Sequence, residues 1–199
     1  MIKIKKMSRE EPYIKFKQFY EKALNSGESN IEAVCISSFN KNLQEVNSRF
    51  VNLKYIIGDE WTFFSNYNSV KAIEFESNQN ISAVFFWKNI YTQIRIKGQI
   101  YIASKKLSDQ HYKNRSREKN ALSYISNQSQ KIKSYRSIIS KYKNALEKKD
   151  SLDIRPDYWG GYSFIPHYFE FWQGHEFRIN KREAYIKENT RWNKDILEP

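Results

Sequence analysis

The feature that most limits what this chain can fold into is the stretch 158–182, YWGGYSFIPHYFEFWQGHEFRINKR, which gathers aromatic residues, a glycine pair and two arginines into one short segment. From 168 to 173 the residues alternate with a period of two, so Glu170 and Trp172 share one face of a strand and Phe169 and Phe171 the other. Gly174 permits a bend. After it Arg178, Asn180 and Arg182 again fall on one face, setting two cations and an amide side by side. Two strands and a turn are predicted, with an anion and polar-ring site in outline. An aromatic strand followed by a basic one is also what a core strand and its solvated edge look like.

At 199 residues, 40% of them hydrophobic, the chain suits one domain with a real core, residues 1–199. It has no run of eighteen or more apolar residues, and its opening MIKIKKMSREEP lacks the apolar stretch a signal peptide needs. The expected compartment is the cytoplasm, with no membrane partner. Cys35 is the single cysteine and sits in an apolar run, so it reads as a core residue, and no intrachain disulfide or cysteine-based metal site can form. His111, His167 and His175 lack metal-ligand spacing, so no metal is expected. The net charge is +12, and between 105 and 150 there are 13 Lys or Arg against 4 Asp or Glu, a net of +9. Such a charge invites nucleic acid, yet no helix-turn-helix, zinc-finger or RNP pattern accompanies it. A lysine-rich solvated face with a phosphate-bearing ligand drawing on part of it is the preferred reading.

Along the chain, Tyr13, Phe16, Phe19, Tyr20 and Ala23 recur at spacings of three and four and predict an amphipathic helix over 11–24. Strands are predicted at 31–39, 48–57 and 61–65, joined by short turns, and at 81–88 and 91–103. The last of these alternates Gln93, Arg95 and Lys97 against Ile94 and Ile96. Asn68 and Ser69 read as a cap on a helix at 71–77. Further helices are predicted at 108–119, 121–126 and 134–148, and two short strands, 184–186 and 191–193, close the chain. The fold class is mainly β with flanking helices, an antiparallel barrel or meander.

The segments WGGY and EFWQG, with Arg178 four residues after Gly174 and Arg182 four further on, resemble the C-terminal signature of the pyridoxamine 5'-phosphate oxidase family, E-F-W-Q-G, three residues, R-x-H-x-R. Glu170, Phe171, Trp172, Gln173, Gly174, Arg178 and Arg182 match, and Asn180 stands at the histidine. The resemblance covers about 11–199, with the dimerisation segment at about 156–199. It implies an FMN-binding split β-barrel, a homodimer with flavins between subunits, and an oxidase that uses O2. Arg49-Phe50-Val51-Asn52-Leu53-Lys54 resembles the family's R-x-V-L-L-K, implying that Arg49 and the backbone through Phe50, Asn52 and Leu53 hold FMN while Lys54 reaches the substrate phosphate. As residues alone, Arg49 and Lys54 are five apart and face opposite sides of a regular strand, so one twist or bulge is needed to bring both to one pocket.

Phe64-Ser65 stands where the family has Tyr-Thr, and Ser69-Val70-Lys71-Ala72 resembles its S-R-K-A, a helix start suited to an anion, with Val70 in place of an arginine. By the same resemblance Gln93 lies near the flavin ring, Gln128 and Ser129 match a Q-S pair contributed across the dimer interface, and Trp172 and Arg182 hold FMN. The phosphate clamp Y-x-x-x-R-P-x-x-S is represented by His111, Arg115 and Lys119, with Ser116 at the proline. Arg178 and Asn180 would cover the substrate ring at the catalytic centre. The implied reaction converts pyridoxine or pyridoxamine 5'-phosphate to pyridoxal 5'-phosphate. The alternative is a diverged member oxidising another aromatic compound, as in phenazine-type metabolism, motivated by Val70, His111, Lys119 and Asn180. A third reading is a non-catalytic binder of flavin or polyanion using the basic region 105–149.

Overall fold

The computed structural model describes residues 1–147 and 152–199. In chain order it places β1 (Lys3–Lys5), α1 (Glu11–Asn25), β2 (Ala33–Asn40), β3 (Glu45–Asn52), β4 (Tyr55–Ile57), β5 (Glu60–Asn66) and α2 (Val70–Ser77). β6 (Asn80–Trp87) and β7 (Thr92–Ile102) follow, joined by a 3-10 turn at Lys88–Ile90. Then come α3 (Lys105–Lys113), α4 (Arg117–Ile125) and α5 (Tyr135–Glu147), and β8 (Trp159–Gln173), β9 (Lys181–Glu188) and β10 (Arg191–Leu197) complete the chain. Mainly β with flanking helices is what the composition and periodicity predict. The strands form one sheet in the order β1-β4-β5-β8-β7-β6-β2-β3, with β9 also on β8 and β10 on β9. All ladders are antiparallel except the parallel pair β1 and β4, and the path is not closed into a ring.

β8 is the hub, because it pairs with β5, β7 and β9. Its side chains cannot follow one parity throughout: Phe164, Phe169 and Phe171 are all fully buried although 164 is even and the others odd. The register with β7 explains this, since Lys97 pairs with Tyr168 but Gly98 with Pro166, leaving His167 as an extra residue. Proline has no N–H to leave unpaired at such a point. A side chain on Gly98 would place its Cβ 2.8 Å from the Ile165 carbonyl oxygen, so the two backbones meet there only with glycine.

α1 lays Tyr13, Phe16, Tyr20 and Ala23 on the inner face, with Pro12 in its first turn where a missing N–H costs nothing. Phe16 meets Trp61 edge-on at 4.4 Å between ring centroids, and Trp61 also touches Phe85, Phe164 and Phe169. At the rim Glu183, 4% exposed, is bound by Lys15, Lys181 and Lys194, tying α1 to the β9–β10 hairpin.

Four expectations are corrected. Residues 48–57 are two strands rather than one, because the chain leaves the ladder at Leu53 and Lys54. The helix expected over 108–119 breaks at 114–116, where Asn114 N–H donates to both Gln110 and His111 carbonyls and Ser116 starts α4. Cys35 is half-buried on the outer face opposite Phe50 and Val84, since Val34 and Ile36 take the core side of β2. Ser69 does start α2, but its hydroxyl donates to the Asn66 carbonyl instead of capping the helix. α5 ends at Glu147; the expected extension to 148, and the basic region's end at 149, lie outside the described residues.

Glu183 is pushed up by burial and pulled down harder by its three lysines, to about 2. A carboxyl lowered in the folded state adds stability above its ordinary value near 4.5, and that stability is lost as the pH falls toward 2. Glu183→Gln is therefore expected to flatten the acid limb of stability against pH in urea melts. Gly98→Ala is expected to cost about 1–3 kcal/mol in the same measurement, because two backbones must separate.

Candidate functional site

A cavity of about 880 Å³ opens between the ends of β3, β4 and β5, the N-terminus of α2 and the segment from α3 to residue 129. Its shape follows from the break between β3 and β4. Leu53 turns inward and is fully buried, its N–H on the Glu32 carbonyl at 2.9 Å, while Lys54 N–H bonds the Thr62 carbonyl at 2.8 Å. That interruption supplies the twist a regular strand lacks, and both Arg49 and Lys54 line the cavity. Lys54 is braced by Glu32 at 3.3 Å.

One end is built by α2 and β5. Lys71 is 7% exposed, and its Nζ donates to the Ser65 and Ser69 hydroxyls at 3.1 and 3.2 Å. Burial and the neighbouring Arg49 charge draw its ammonium down to about 8, with Glu74 acting in the opposite sense. Gln128 Oε1 accepts from the Asn66 N–H at 3.2 Å and the Ser65 hydroxyl at 3.3 Å, which brings Gln128 and Ser129 to the cavity of their own chain. Phe50, 74% exposed, and Asn52 line the same wall.

The other end is an aromatic ladder. His111 stacks on Phe64 at 3.7 Å and 10°, and Trp159 lies nearly parallel to both rings, 5.5 Å from Phe64 and 6.2 Å from His111. Its Nδ1 shares a hydrogen bond with the Tyr55 hydroxyl at 3.0 Å. The Arg115 guanidinium lies 4.3 Å from the Trp159 ring centroid, and its nitrogens donate to the Ser123 hydroxyl and the Lys119 carbonyl. Lys3 and Lys119 add two more cations. In all, Lys3, Arg49, Lys54, Lys71, Arg115 and Lys119 line one cavity, and among the described residues no Asp or Glu does. Such a space takes up anions, and its aromatic wall suits a flat ring.

Sequence reasoning missed Lys3, Tyr55, Trp159 and Ser123 here. Trp159 opens WGGY and was within reach of the motif; the others arrive through strand pairing and helix packing, which leave no local signal. Six expected site residues do not line this cavity, the first being Leu53, whose side chain is buried in the core. Gln93, Trp172 and Arg182 stand in one cross-strand row on the outer face of β7, β8 and β9. Beside that row Glu170, 3% exposed in its side chain, accepts from Arg95 at 2.8 Å, from Arg182 at 2.9 Å and from the Tyr168 hydroxyl at 2.9 Å. Burial raises Glu170, but the Tyr168 and Arg182 hydrogen bonds and the Arg95 charge hold it below the usual carboxylate range.

Arg178 and Asn180 do not share a pleated face with Arg182, because β9 begins at Lys181. They belong to the loop 174–180, where Arg178 is exposed with φ of 61° and its N–H bonds the His175 carbonyl. Asn180 Oδ1 accepts from the His175 N–H at 3.1 Å and closes the loop. Gly174 is required at its start, as a Cβ would sit 2.1 Å from the Tyr91 ring.

Burial, and then the charges of Arg115, Lys54, Lys3 and Lys119, hold His111 at about 3, far below its ordinary 6.5. The imidazole is neutral in the ligand-free protein. Because the folded chain binds this proton less readily than the unfolded one, the neutral ring adds stability above pH 6.5 that is lost as the pH falls toward 3. The His111 ring resonances are expected to stay flat from about pH 5 to 8 in an NMR titration.

The family model for the pyridoxine 5'-phosphate oxidase C-terminal dimerisation region matches residues 159–199. The pyridoxine/pyridoxamine 5'-phosphate oxidase of Leptospira biflexa is 33% identical over 190 residues, covering 95% of this chain and 89% of that protein. Its counterpart from Coxiella burnetii is 32% identical over 95% of this chain and 96% of its own length. Among solved structures, PhzG from Burkholderia lata 383 in complex with tetrahydrophenazine-1-carboxylic acid has the same fold, with a TM-score of 0.87 at 23% identity over 95% of this chain and 93% of that one. A pyridoxamine 5'-phosphate oxidase-related, FMN-binding protein from Nostoc punctiforme gives 0.75 at 12% identity, covering 92% and 97%. More than 30% identity carried over nearly the full length, together with the signature strand and the shared fold, establishes that this chain belongs to the pyridoxine/pyridoxamine 5'-phosphate oxidase family.

Proposed function

We propose that this chain is an FMN-dependent oxidase converting pyridoxine or pyridoxamine 5'-phosphate to pyridoxal 5'-phosphate, acting as a homodimer. The observation that carries the reading is one cavity with six cationic side chains, an aromatic wall and, among the described residues, no lining carboxylate. Its two cationic ends suit two phosphates, one on each partner of the reaction. The donor set at the α2 end fits FMN: a helix N-terminus, the Lys71 ammonium, the Arg49 guanidinium and the Ser65 hydroxyl are phosphate ligands, and Gln128 offers an amide. Val70 adds no charge there. Phe50, the backbone of Asn52, Phe64 and Ser129 complete that side.

At the other end Lys54, Arg115, Lys119 and His111 would grip the substrate phosphate. Arg115 is fixed in advance by Trp159, Ser123 and the Lys119 carbonyl, so little side-chain entropy is lost when an anion arrives. Neutral His111 contributes a hydrogen bond without a charge. Gln93, Trp172 and Arg182 lie in one outward row within the segment and strands near the family's dimerisation region, a placement that supports their serving a flavin held with a second copy. The exposed loop bearing Arg178 and Asn180 would then cover the substrate ring of that copy. FMN, when bound, supplies the hydride acceptor that dioxygen restores, with hydrogen peroxide as the second product. The protein's part is proximity, ring stacking and charge complementarity.

A second reading is oxidation of a different anionic aromatic compound. It is favoured by His111, a pinned, neutral imidazole where the family clamp has a phenol, and by Asn180, whose oxygen is already used to close its loop.

The deciding experiment is an absorbance spectrum of the FMN-loaded protein, followed anaerobically after adding pyridoxine 5'-phosphate. Bleaching that reverses in air is the expected result; bound flavin that stays oxidised sinks the substrate assignment and leaves the second reading. Arg178→Ala is expected to lower kcat/KM at least tenfold, about 1.4 kcal/mol, while FMN stays bound. Unchanged kinetics would remove Arg178 from the mechanism.

A further inference from the structure

Glu74 is a buried carboxylate to which the proposed reaction gives no part. It stands on α2, 1% exposed in its side chain, behind the cavity wall rather than on it. Oε2 accepts from Arg49 Nη2 at 2.9 Å and from the Ser38 hydroxyl, and Oε1 accepts from the Asn47 amide at 2.7 Å. Ser38 in turn accepts from Arg49 Nη1, which also approaches the Ile36 carbonyl at 3.5 Å. One carboxylate therefore gathers groups from β2, β3 and α2 around a single guanidinium.

Two consequences follow for the α2 end of the cavity. Arg49 sits on a strand whose outward residues are largely exposed, where a long side chain would sample many rotamers. The cluster holds it at both terminal nitrogens before any ligand arrives. Lys71 lies three residues before Glu74 on the same helix, buried, with Arg49 as the like-signed charge acting on it. The charged groups acting on Lys71 are Arg49 from β3 and Glu74 from α2; β5 and the segment after α4 offer only the uncharged Ser65 and Gln128. Glu74 is the charge that lets the two cations stand together.

We propose that Glu74 is a positioning residue for the phosphate end of the FMN site, fixing the Arg49 guanidinium and supplying the compensating charge that allows Arg49 and Lys71 to face one phosphate. The proposal rests on the FMN reading above. It makes a prediction of sign: a bystander carboxylate near a phosphate would repel it, so its removal would tighten binding, whereas removal of a positioning carboxylate loosens it.

The test compares wild type, Glu74→Gln and Glu74→Asp, stripped of flavin, for binding of FMN and of riboflavin by flavin fluorescence quenching between about pH 7 and 10, where the phosphate stays a dianion. Glu74→Gln is expected to weaken FMN at least tenfold while leaving riboflavin, which has no phosphate, unchanged. Its high-pH loss of FMN affinity is expected to move down by about one pH unit, because Lys71 loses its supporting charge. Glu74→Asp is expected to restore the wild-type profile in part. Equal weakening of both ligands, unchanged FMN binding or tighter FMN binding each overturns the proposal. If the Gln variant does not fold, Ser38→Ala removes the bridge to Arg49 without touching the charge; an FMN-selective loss of about threefold with an unshifted pH limb is then expected, and no selective loss overturns the idea. Wild-type protein that binds neither flavin defeats the FMN reading itself, a result separate from any difference between variants.

Discussion

The register of β8 against β7 is the constraint on which the rest of this structure depends. One extra residue at His167 switches the parity of the strand, so that Phe164 before it and Phe169 and Phe171 after it all enter the same aromatic core. The same switch sends Glu170 and Trp172 outward together, where Glu170 joins the guanidiniums of Arg95 and Arg182. Without it, one half of β8 would turn its phenylalanines to solvent. The core around Trp61, the packing of α1 and the outward row near the dimerisation segment all follow from one irregularity.

The cavity shows a division of labour between charge and packing. Its cations are not simply exposed lysines: Arg49, Lys54 and Arg115 are each braced by a carboxylate, a hydroxyl or an aromatic face, and Lys71 is buried among hydroxyls. The bracing carboxylates Glu32 and Glu74 sit behind the wall, so they orient the cations without filling the space in front of them. Between 105 and 147 most of the basic residues are elsewhere, and among the described residues only Arg115 and Lys119 of that region's cations line the cavity. Net charge and binding charge are different quantities here.

Much of the fold was legible because periodicity is a local property. The spacing of Tyr13, Phe16 and Tyr20 announced α1, and the alternation of Gln93 to Lys97 announced β7, each with the correct buried face. The helix over 108–119 failed because its break at 114–116 has no proline or glycine to announce it. Cys35 was misplaced for a different reason: an apolar run does not say which residue of a pair faces inward, and the pairing with Phe50 and Val84 settles that. At the site, the motif residues Arg49, Lys54, Ser65, Lys71, His111, Arg115, Lys119, Gln128 and Ser129 do converge. Lys3 and Glu74 were not foreseen, since each meets the site through a neighbour distant in sequence, whereas Trp159 opens the WGGY motif and was within its reach.

Residue identity alone was enough to specify a sheet-rich chain, its signature strand, a supply of phosphate-binding side chains and the family to which they belong. Local chemistry is written residue by residue, and spacing along a chain carries it. Which cations would share a space, and which would be neutralised behind its wall, depended on a broken strand that brings Arg49 and Lys54 to one cavity and on a helix that sets Glu74 against Arg49. The separation of Gln93, Trp172 and Arg182 from that cavity likewise came from strand register. Glu74 stands 25 positions from Arg49, and Trp172 stands 79 from Gln93, and only chain packing sets distances between residues so far apart in the chain.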